Sequence, residues 1–244
     1  MPARKAISPI QLHPGDIVAG KYSIEEVLGQ GFEGAVYRVR EKGTGIERSL
    51  KIYDPRRDPR HRNVRWSARK LHKLRDCPVL VQYRTQELVT LGDRRLAMLV
   101  ADFVPGESLA AFLGRQPGKR LGFFQGLHLL RALAAGLEPV HDQGEYHGDI
   151  HDENILISRH GLGFAVRLLD LRDLGPSETA LIRRDVHHMV RVLYDALGGA
   201  RHYRQQPAEV KAVICGLKTS LMDRKFRNAG QLGWFLDNLE WESR

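Results

Sequence analysis

Asp149, Asn154 and Asp170 are the residues whose types and spacing most directly suggest chemistry. The stretch His147-Gly148-Asp149-Ile150-His151-Asp152-Glu153-Asn154 sets an Asp and an Asn five positions apart, and Asp170 follows sixteen residues later, closing the apolar pair Leu168-Leu169. One carboxylate can orient a hydroxyl and take its proton, while an amide oxygen and a second carboxylate can hold Mg²⁺ on a nucleotide triphosphate. Mg²⁺ suits so sparse a ligand set because it keeps several waters and shares phosphate oxygens. Ile155-Leu156-Ile157, the turn Gly161-Leu162-Gly163 and Val166-Arg167-Leu168-Leu169 predict a β-hairpin whose ends bring Asn154 and Asp170 side by side. The plainer alternative is a polar loop ahead of a buried hairpin.

A second group lies far upstream. Gly29-Gln30-Gly31-Phe32-Glu33-Gly34-Ala35-Val36 bridges two expected strands, whereas the glycines of a dinucleotide fold open a helix. In a hairpin, such glycines let the backbone lie close over phosphates. Seventeen residues past Gly34, Lys51 sits at an inward position of the apolar strand Leu50-Lys51-Ile52. A buried ammonium needs an anionic partner, and a phosphate oxygen would be one.

The elements that must carry these groups follow from periodicity. An extended lead-in over residues 1–15 precedes strands at 21–29, 34–41, 47–53, 79–90 and 95–104. One helix, marked by Val64, Ala68, Leu71 and Leu74, interrupts them. Beyond Pro105-Gly106 the pattern turns helical, with Leu109–Leu113, a long helix over 123–142, and helices near 185–197, 207–222 and 228–240. The expectation is an α+β chain forming one domain of two lobes, a small antiparallel β lobe with one helix over roughly 14–104 and a larger, mainly helical lobe over roughly 107–240.

The 244 residues, 42% of them hydrophobic, can bury a real core. The first thirteen residues carry charge and Pro but no apolar stretch, and no run approaches a membrane span, so neither a signal peptide nor a spanning helix is expected. Cys77 and Cys215 lie far apart without metal-ligand spacing, which points to a reduced, disulfide-free, cytoplasmic setting. The formal net charge is +9, and all but one unit of it falls within residues 56–75, where nine Lys or Arg face the single acid Asp58. That segment, centred on Arg62–Arg75, is either a solvated helix face or a docking face for an anionic partner such as RNA, an acidic protein or a membrane surface.

In combination and in order, these motifs resemble the protein kinase-like superfamily. The opening Gly15-Asp16-Ile17-Val18-Ala19-Gly20-Lys21-Tyr22 resembles the bacterial eukaryotic-like Ser/Thr kinases. The resemblance runs from about residue 14 to 240. It implies a bilobal kinase fold with ATP and Mg²⁺ as cofactors. Gly29, Gln30, Gly31, Gly34 and Val36 would cover the nucleotide, and Lys51 would contact its α and β phosphates. Asp102-Phe103-Val104 would be the hinge reading adenine after the small Ala101, with Ser108 also on the nucleotide side. Asp149 would orient and deprotonate the acceptor hydroxyl, and Asn154 and Asp170 would hold the metal. His147, Asp185 and Arg227 would be structural supports, with Asp185 starting a helix that braces the catalytic loop from below.

Several positions depart from that family. The helix after the lysine strand normally supplies a Glu to the lysine, yet residues 59–75 contain no acid, and the expected position falls on Ala68 or Ser67. Lys51 must then pair with Asp170, with Glu33, or with ATP itself. Gly148 replaces an Arg that normally meets a phosphorylated activation loop, and only fifteen positions separate Asp170 from Asp185, with no Ala-Pro-Glu-like motif between. His151 replaces Lys, in a pattern similar to aminoglycoside and related small-molecule phosphotransferases. Leu171-Arg172 replaces Phe-Gly after the metal Asp. Three functions remain open: an ATP-dependent phosphotransferase acting on a hydroxyl of a protein or other acceptor, a pseudokinase that binds nucleotide and presents a surface, and a slow ATPase within a nucleoprotein complex.

Overall fold

The computed structural model describes residues 11–161 and 163–240. Positions 1–10 of the expected lead-in and Leu162 of the expected hairpin turn lie outside the described residues. The chain runs β1 (Ile17–Val18), β2 (Tyr22–Gln30), β3 (Gly34–Glu41), β4 (Glu47–Tyr53), α1 (Arg62–Lys73), β5 (Tyr83–Leu91) and β6 (Arg94–Asp102). It continues through β7 (Glu107–Ser108), α2 (Leu109–Arg115), α3 (Phe123–Asp142), β8 (Ile155–His160) and β9 (Gly163–Leu168). The last helices are α4 (Thr179–Ala196), α5 (Ala200–Tyr203), α6 (Ala208–Ile214), α7 (Thr219–Lys225) and α8 (Ala229–Asp237). Contacts divide the chain into two compact units, with 76–80 and everything from 105 onward in the second.

The first unit is an antiparallel sheet in the order β1-β2-β3-β4-β6-β5. Period-two alternation places Ala35, Tyr37 and Val39 of β3 and Leu50 and Ile52 of β4 in one apolar core with Met98 and Val100 of β6. Lys51 therefore belongs to the opposite face of β4, where its register partners are Val36 and Leu99. The helix α1 begins without an acid in its first turn, but the buried Asp58 supplies the missing acceptor. Its carboxylate accepts from the backbone N–H groups of Arg62 (2.6 Å), Asn63 (3.2 Å) and Val64 (3.1 Å), three of the four that a helix start leaves orphaned. The lone acid of the basic segment is thus turned inward. Val64 and Leu71 are buried, while Arg62, Arg65, Arg69 and Lys73 recur at helical spacing on the exposed side. Lys70 departs from the expected basic face: it is buried, with its ammonium 5.0 Å from the centre of the Trp66 ring.

The second unit is built on α3, whose Leu127, Leu130, Leu133, Ala134, Leu137 and Val140 are buried. It packs against α4, α8 and β9. The β8–β9 hairpin pairs from Ile155↔Leu168 to His160↔Gly163, and β7 completes a three-stranded sheet. Three expectations are corrected here. Residues 79–82 do not extend a strand of the first sheet; Val79 accepts from Leu168 N at 2.7 Å and Leu80 bridges Leu168, so Pro78 leads into the helical unit. The helix α4 starts at Thr179, a full turn and more before Asp185. The helix expected over 207–222 is two, because Cys215 and Gly216 adopt left-handed φ values of 54° and 59° and end α6. Cys77 is buried, Cys215 is half-buried, and both are free thiols. No helix among the described residues is long and apolar enough to cross a membrane.

Candidate active site

In the helical unit, the loop that carries Asp149 hangs from one buried carboxylate. Asp185, on the second turn of α4, is fully buried and accepts from the backbone N–H groups of His147 (2.6 Å) and Gly148 (2.9 Å). His141, at the end of α3, is buried against the same carboxylate, with Nε2 at 3.3 Å from Oδ2. Its other nitrogen, Nδ1, accepts from Ala229 N at 2.9 Å, so Nε2 carries the hydrogen that Asp185 receives. Burial pushes the Asp185 carboxyl up, but the hydrogen bond from His141 and the nearby His147 outweigh it, and the group ends below the usual carboxylate range.

Asp149 itself is a third exposed. Its Oδ2 lies 3.3 Å from Asn154 Nδ2, which also donates to the Asp149 carbonyl at 3.0 Å. Leu169 N donates to Asn154 O at 2.9 Å, so the hairpin ends hold Asn154 beside Leu169-Asp170. With its amide nitrogen engaged by Asp149, Asn154 keeps its amide oxygen for a ligand. Asp170 is exposed and sits at a left-handed φ of 54°, an uncommon geometry for a residue with a side chain. Among the described residues no group of three or more His, Cys, Asp or Glu could hold a metal. An amide oxygen and a carboxylate are nevertheless a donor set that fits Mg²⁺ completed by phosphate and water oxygens.

Two nitrogen-bearing side chains flank Asp149. His151 Nε2 lies 3.8 Å from Oδ2, and Arg172 Nη1 lies 3.5 Å from Oδ1. Arg172 is tied to the Asp149 loop by its backbone, which donates to His147 O at 3.1 Å. Gly148 explains why that approach is possible. Its φ is +89°, and a Cβ there would lie 2.9 Å from the Arg172 carbonyl oxygen and 3.1 Å from the Tyr146 ring. The Tyr146 hydroxyl in turn accepts from Leu174 N at 2.9 Å and donates to Gly175 O at 2.7 Å, which pins the short link between Asp170 and α4.

In the sheet unit, Gly29 to Phe32 are exposed, and Gly29 and Gly31 have open space where a side chain would be. Gly34 differs: at φ +153° a Cβ would overlap the Ile52 carbonyl oxygen, so glycine is required by the pairing of β3 with β4. Lys51 is 13% exposed, and its ammonium is 2.9 Å from the Glu33 carboxylate on the glycine loop. Of the pairings left open by the missing acid on α1, Glu33 is the one found within this unit. Arg57 stacks over the exposed Phe32 ring at 3.9 Å, and Glu33 O accepts from Asp54 N at 2.8 Å.

The remaining residues divide. Asp102 uses its N–H on Gln82 O (2.9 Å) and its carboxylate on Arg48 (2.5 Å) and Arg84 (2.6 Å). The backbone groups of Val104 make no backbone–backbone hydrogen bond among the described residues. Ser108 caps α2, its hydroxyl accepting from Ala111 N at 3.1 Å. Arg227 is exposed, and its side chain makes no ion pair among the described residues. His141, Tyr146 and the position of Arg172 were not read from sequence. The only available signals were a polar residue closing the apolar stripe of α3 and an arginine where glycine is usual.

Comparison with known proteins follows this geometry. The family described as protein kinase domain matches residues 22–194. The serine/threonine-protein kinase pkn2 of Myxococcus xanthus is 31% identical over 157 residues, 63% of this chain and 18% of that protein. The serine/threonine-protein kinase STK11 of Rattus norvegicus is 30% identical over 166 residues, 65% of this chain and 35% of that protein. The chain thus spans well under half of these relatives. The crystal structure of the Mycobacterium tuberculosis PknI kinase domain superposes with a TM-score of 0.67 at 15% identity, covering 95% of this chain and all of that one. A double mutant of that domain gives 0.68 at 18% identity. These structures establish the likeness of fold.

Proposed function

We propose that this chain, which belongs to the protein kinase domain family, is an ATP- and Mg²⁺-dependent phosphotransferase that moves the γ-phosphoryl group to a hydroxyl of a protein or other acceptor. One observation carries the reading: Asp185 fixes the backbone of the loop that presents Asp149, while Asn154 is locked to both Asp149 and Leu169. Positioning is most of what such a reaction needs from a protein. The acceptor hydroxyl gives its proton to Asp149, a bond forms from its oxygen to Pγ, and the bond from Pγ to the β-phosphate oxygen breaks to release ADP. Gly29, Gln30, Gly31, Gly34, Val36 and Lys51 would hold the nucleotide, with the backbone of Val104 on adenine. Asn154 and Asp170 would hold Mg²⁺, which when bound neutralises phosphate charge. The free cysteines support a reducing, cytoplasmic setting, and the arginine stripe of α1 would face an anionic partner.

Replacing Asp149 with Asn is expected to lower phosphate release or transfer from Mg-ATP by about 10²–10⁴-fold without loss of nucleotide-induced thermal stabilisation. A wild-type chain with no turnover on Mg-ATP would end this reading. The absence of any acid on the exposed or buried faces of α1 favours a second one, a nucleotide-binding module without transfer. That module would still lose its nucleotide-dependent stabilisation on Asp170→Ala.

A further inference from the structure

Position 148, next to Asp149, is a glycine, and an arginine lies beside it. Gly148 and Arg172 are in backbone contact, and the space that a side chain on residue 148 would fill is taken by the Arg172 carbonyl. The backbone of Arg172 is anchored to His147 O, which fixes where its side chain starts. Its head reaches to 3.5 Å from Asp149 Oδ1 yet remains 57% exposed, and it donates no hydrogen bond among the described residues. A settled arginine–carboxylate pair has nitrogen–oxygen distances of about 2.7–2.9 Å, usually in two parallel bonds. The Arg172 fork therefore forms a long ion pair with Asp149 and no hydrogen bond to it.

We infer that Arg172 is a catalytic residue, binding the γ-phosphoryl group in flight as an arginine finger supplied from within the chain. The inference rests on the phosphotransferase reading above and extends it. An acceptor hydroxyl must lie about 2.6–3.2 Å from Asp149 to lose its proton there. The phosphorus it attacks is then adjacent to the same carboxylate, within reach of a guanidinium already 3.5 Å from Asp149. As the phosphoryl group transfers, negative charge spreads over its three equatorial oxygens. A planar fork with a permanent charge matches that geometry. The other cation-capable neighbour, His151, carries an imidazole that is not a permanent cation. The transfer needs no further reactant: the hydroxyl proton goes to Asp149, ADP departs, and Arg172 keeps all its protons.

The test is a kinetic series on the full chain, with thermal unfolding confirming that each variant folds. Arg172→Ala is expected to lower kcat for transfer or hydrolysis by about 10²–10³-fold while leaving the Kd for Mg-ADP within about twofold. Arg172→Lys should recover only part of the loss, since it restores charge without the fork. A second readout does not need turnover. Mg-ADP with aluminium fluoride, which mimics the planar phosphoryl group, should stabilise the wild type more than Mg-ADP alone, and Arg172→Ala should lose that increment. An active wild type with unchanged or faster turnover in Arg172→Ala would overturn the inference alone, the faster case marking Arg172 as a lock on Asp149. A wild type that neither turns over nor responds to aluminium fluoride would overturn the phosphotransferase reading with it.

Discussion

Asp185 holds the Asp149 loop through two backbone N–H groups and a histidine, all fully buried, whereas Lys51 is held by Glu33, a carboxylate 43% exposed on a loop with open space around its glycines. Both arrangements fix a charged group that the proposed chemistry uses. They differ in stiffness. The buried network cannot be rearranged without stranding several donors, each costly to leave unmade. In the Lys51 pair only the carboxylate is half-exposed, so water reaches Glu33 and a phosphate can take its place beside the ammonium. Under the proposed chemistry the helical unit would present a prearranged base, and the sheet unit a lysine whose carboxylate a phosphate can replace.

The largest expected effect comes from breaking the stiff side. Asp185→Asn would place an amide NH₂ against the N–H groups of His147 and Gly148 and against His141. A loss of about 3 kcal/mol or more is expected, read as a fall in Tm of roughly 10 °C. The wild-type carboxyl is held below its ordinary range, so its contribution is complete above the unfolded pKa of about 3.9 and is lost as pH falls through the folded value. Acid should thus narrow the gap between wild type and variant. A variant as stable as wild type at pH 7 would show that Asp185 is not what makes this half stiff.

The soft side should respond in the opposite sense. Glu33→Gln is expected to change stability by less than about 1 kcal/mol and to tighten Mg-ATP about three- to tenfold, since it removes a competing anion from Lys51. Titration calorimetry on the intact chain would read this directly. Weaker binding would instead make Glu33 the carboxylate that positions Lys51, in place of the one missing from α1, and the two halves would then be built on the same principle.

How far each half could be read from sequence follows the same divide. Asp149, Asn154 and Asp170 were legible because their chemistry is local: a five-residue spacing and one hairpin bring them together. The face of β4 that carries Lys51, opposite Leu50 and Ile52, followed from simple alternation. His141 was illegible because its partners lie 44 and 88 residues away, and nothing local marks a helix-terminal histidine as buried. The early start of α4 was missed by counting from Asp185, although Ser177-Glu178-Thr179 carries a helix-start composition. The break between α6 and α7 hinged on Cys215, a residue type that does not usually signal a left-handed turn, with Gly216 as the overlooked cue.

The smallest effect on the molecule itself should come from the exposed face of α1, and it tests why that helix lacks an acid. Asp58 already stabilises the helix start from a buried position, so the outward arginines are not needed to hold the fold. Replacing Arg62, Arg65 and Arg69 together with Gln should leave stability within about 0.5 kcal/mol and leave turnover on Mg-ATP unchanged. Binding of single-stranded RNA at low salt is expected for the wild type, weakening steeply as salt rises, with a log–log slope that falls by about 0.7 for each phosphate contact removed. Arginine at three successive positions on one face favours phosphate, which its fork can engage in two bonds. If RNA binds equally to wild type and variant, or to neither, the stripe is a solvated face or one for an acidic protein. The softness of the lysine site would then need no partner on α1 to account for it.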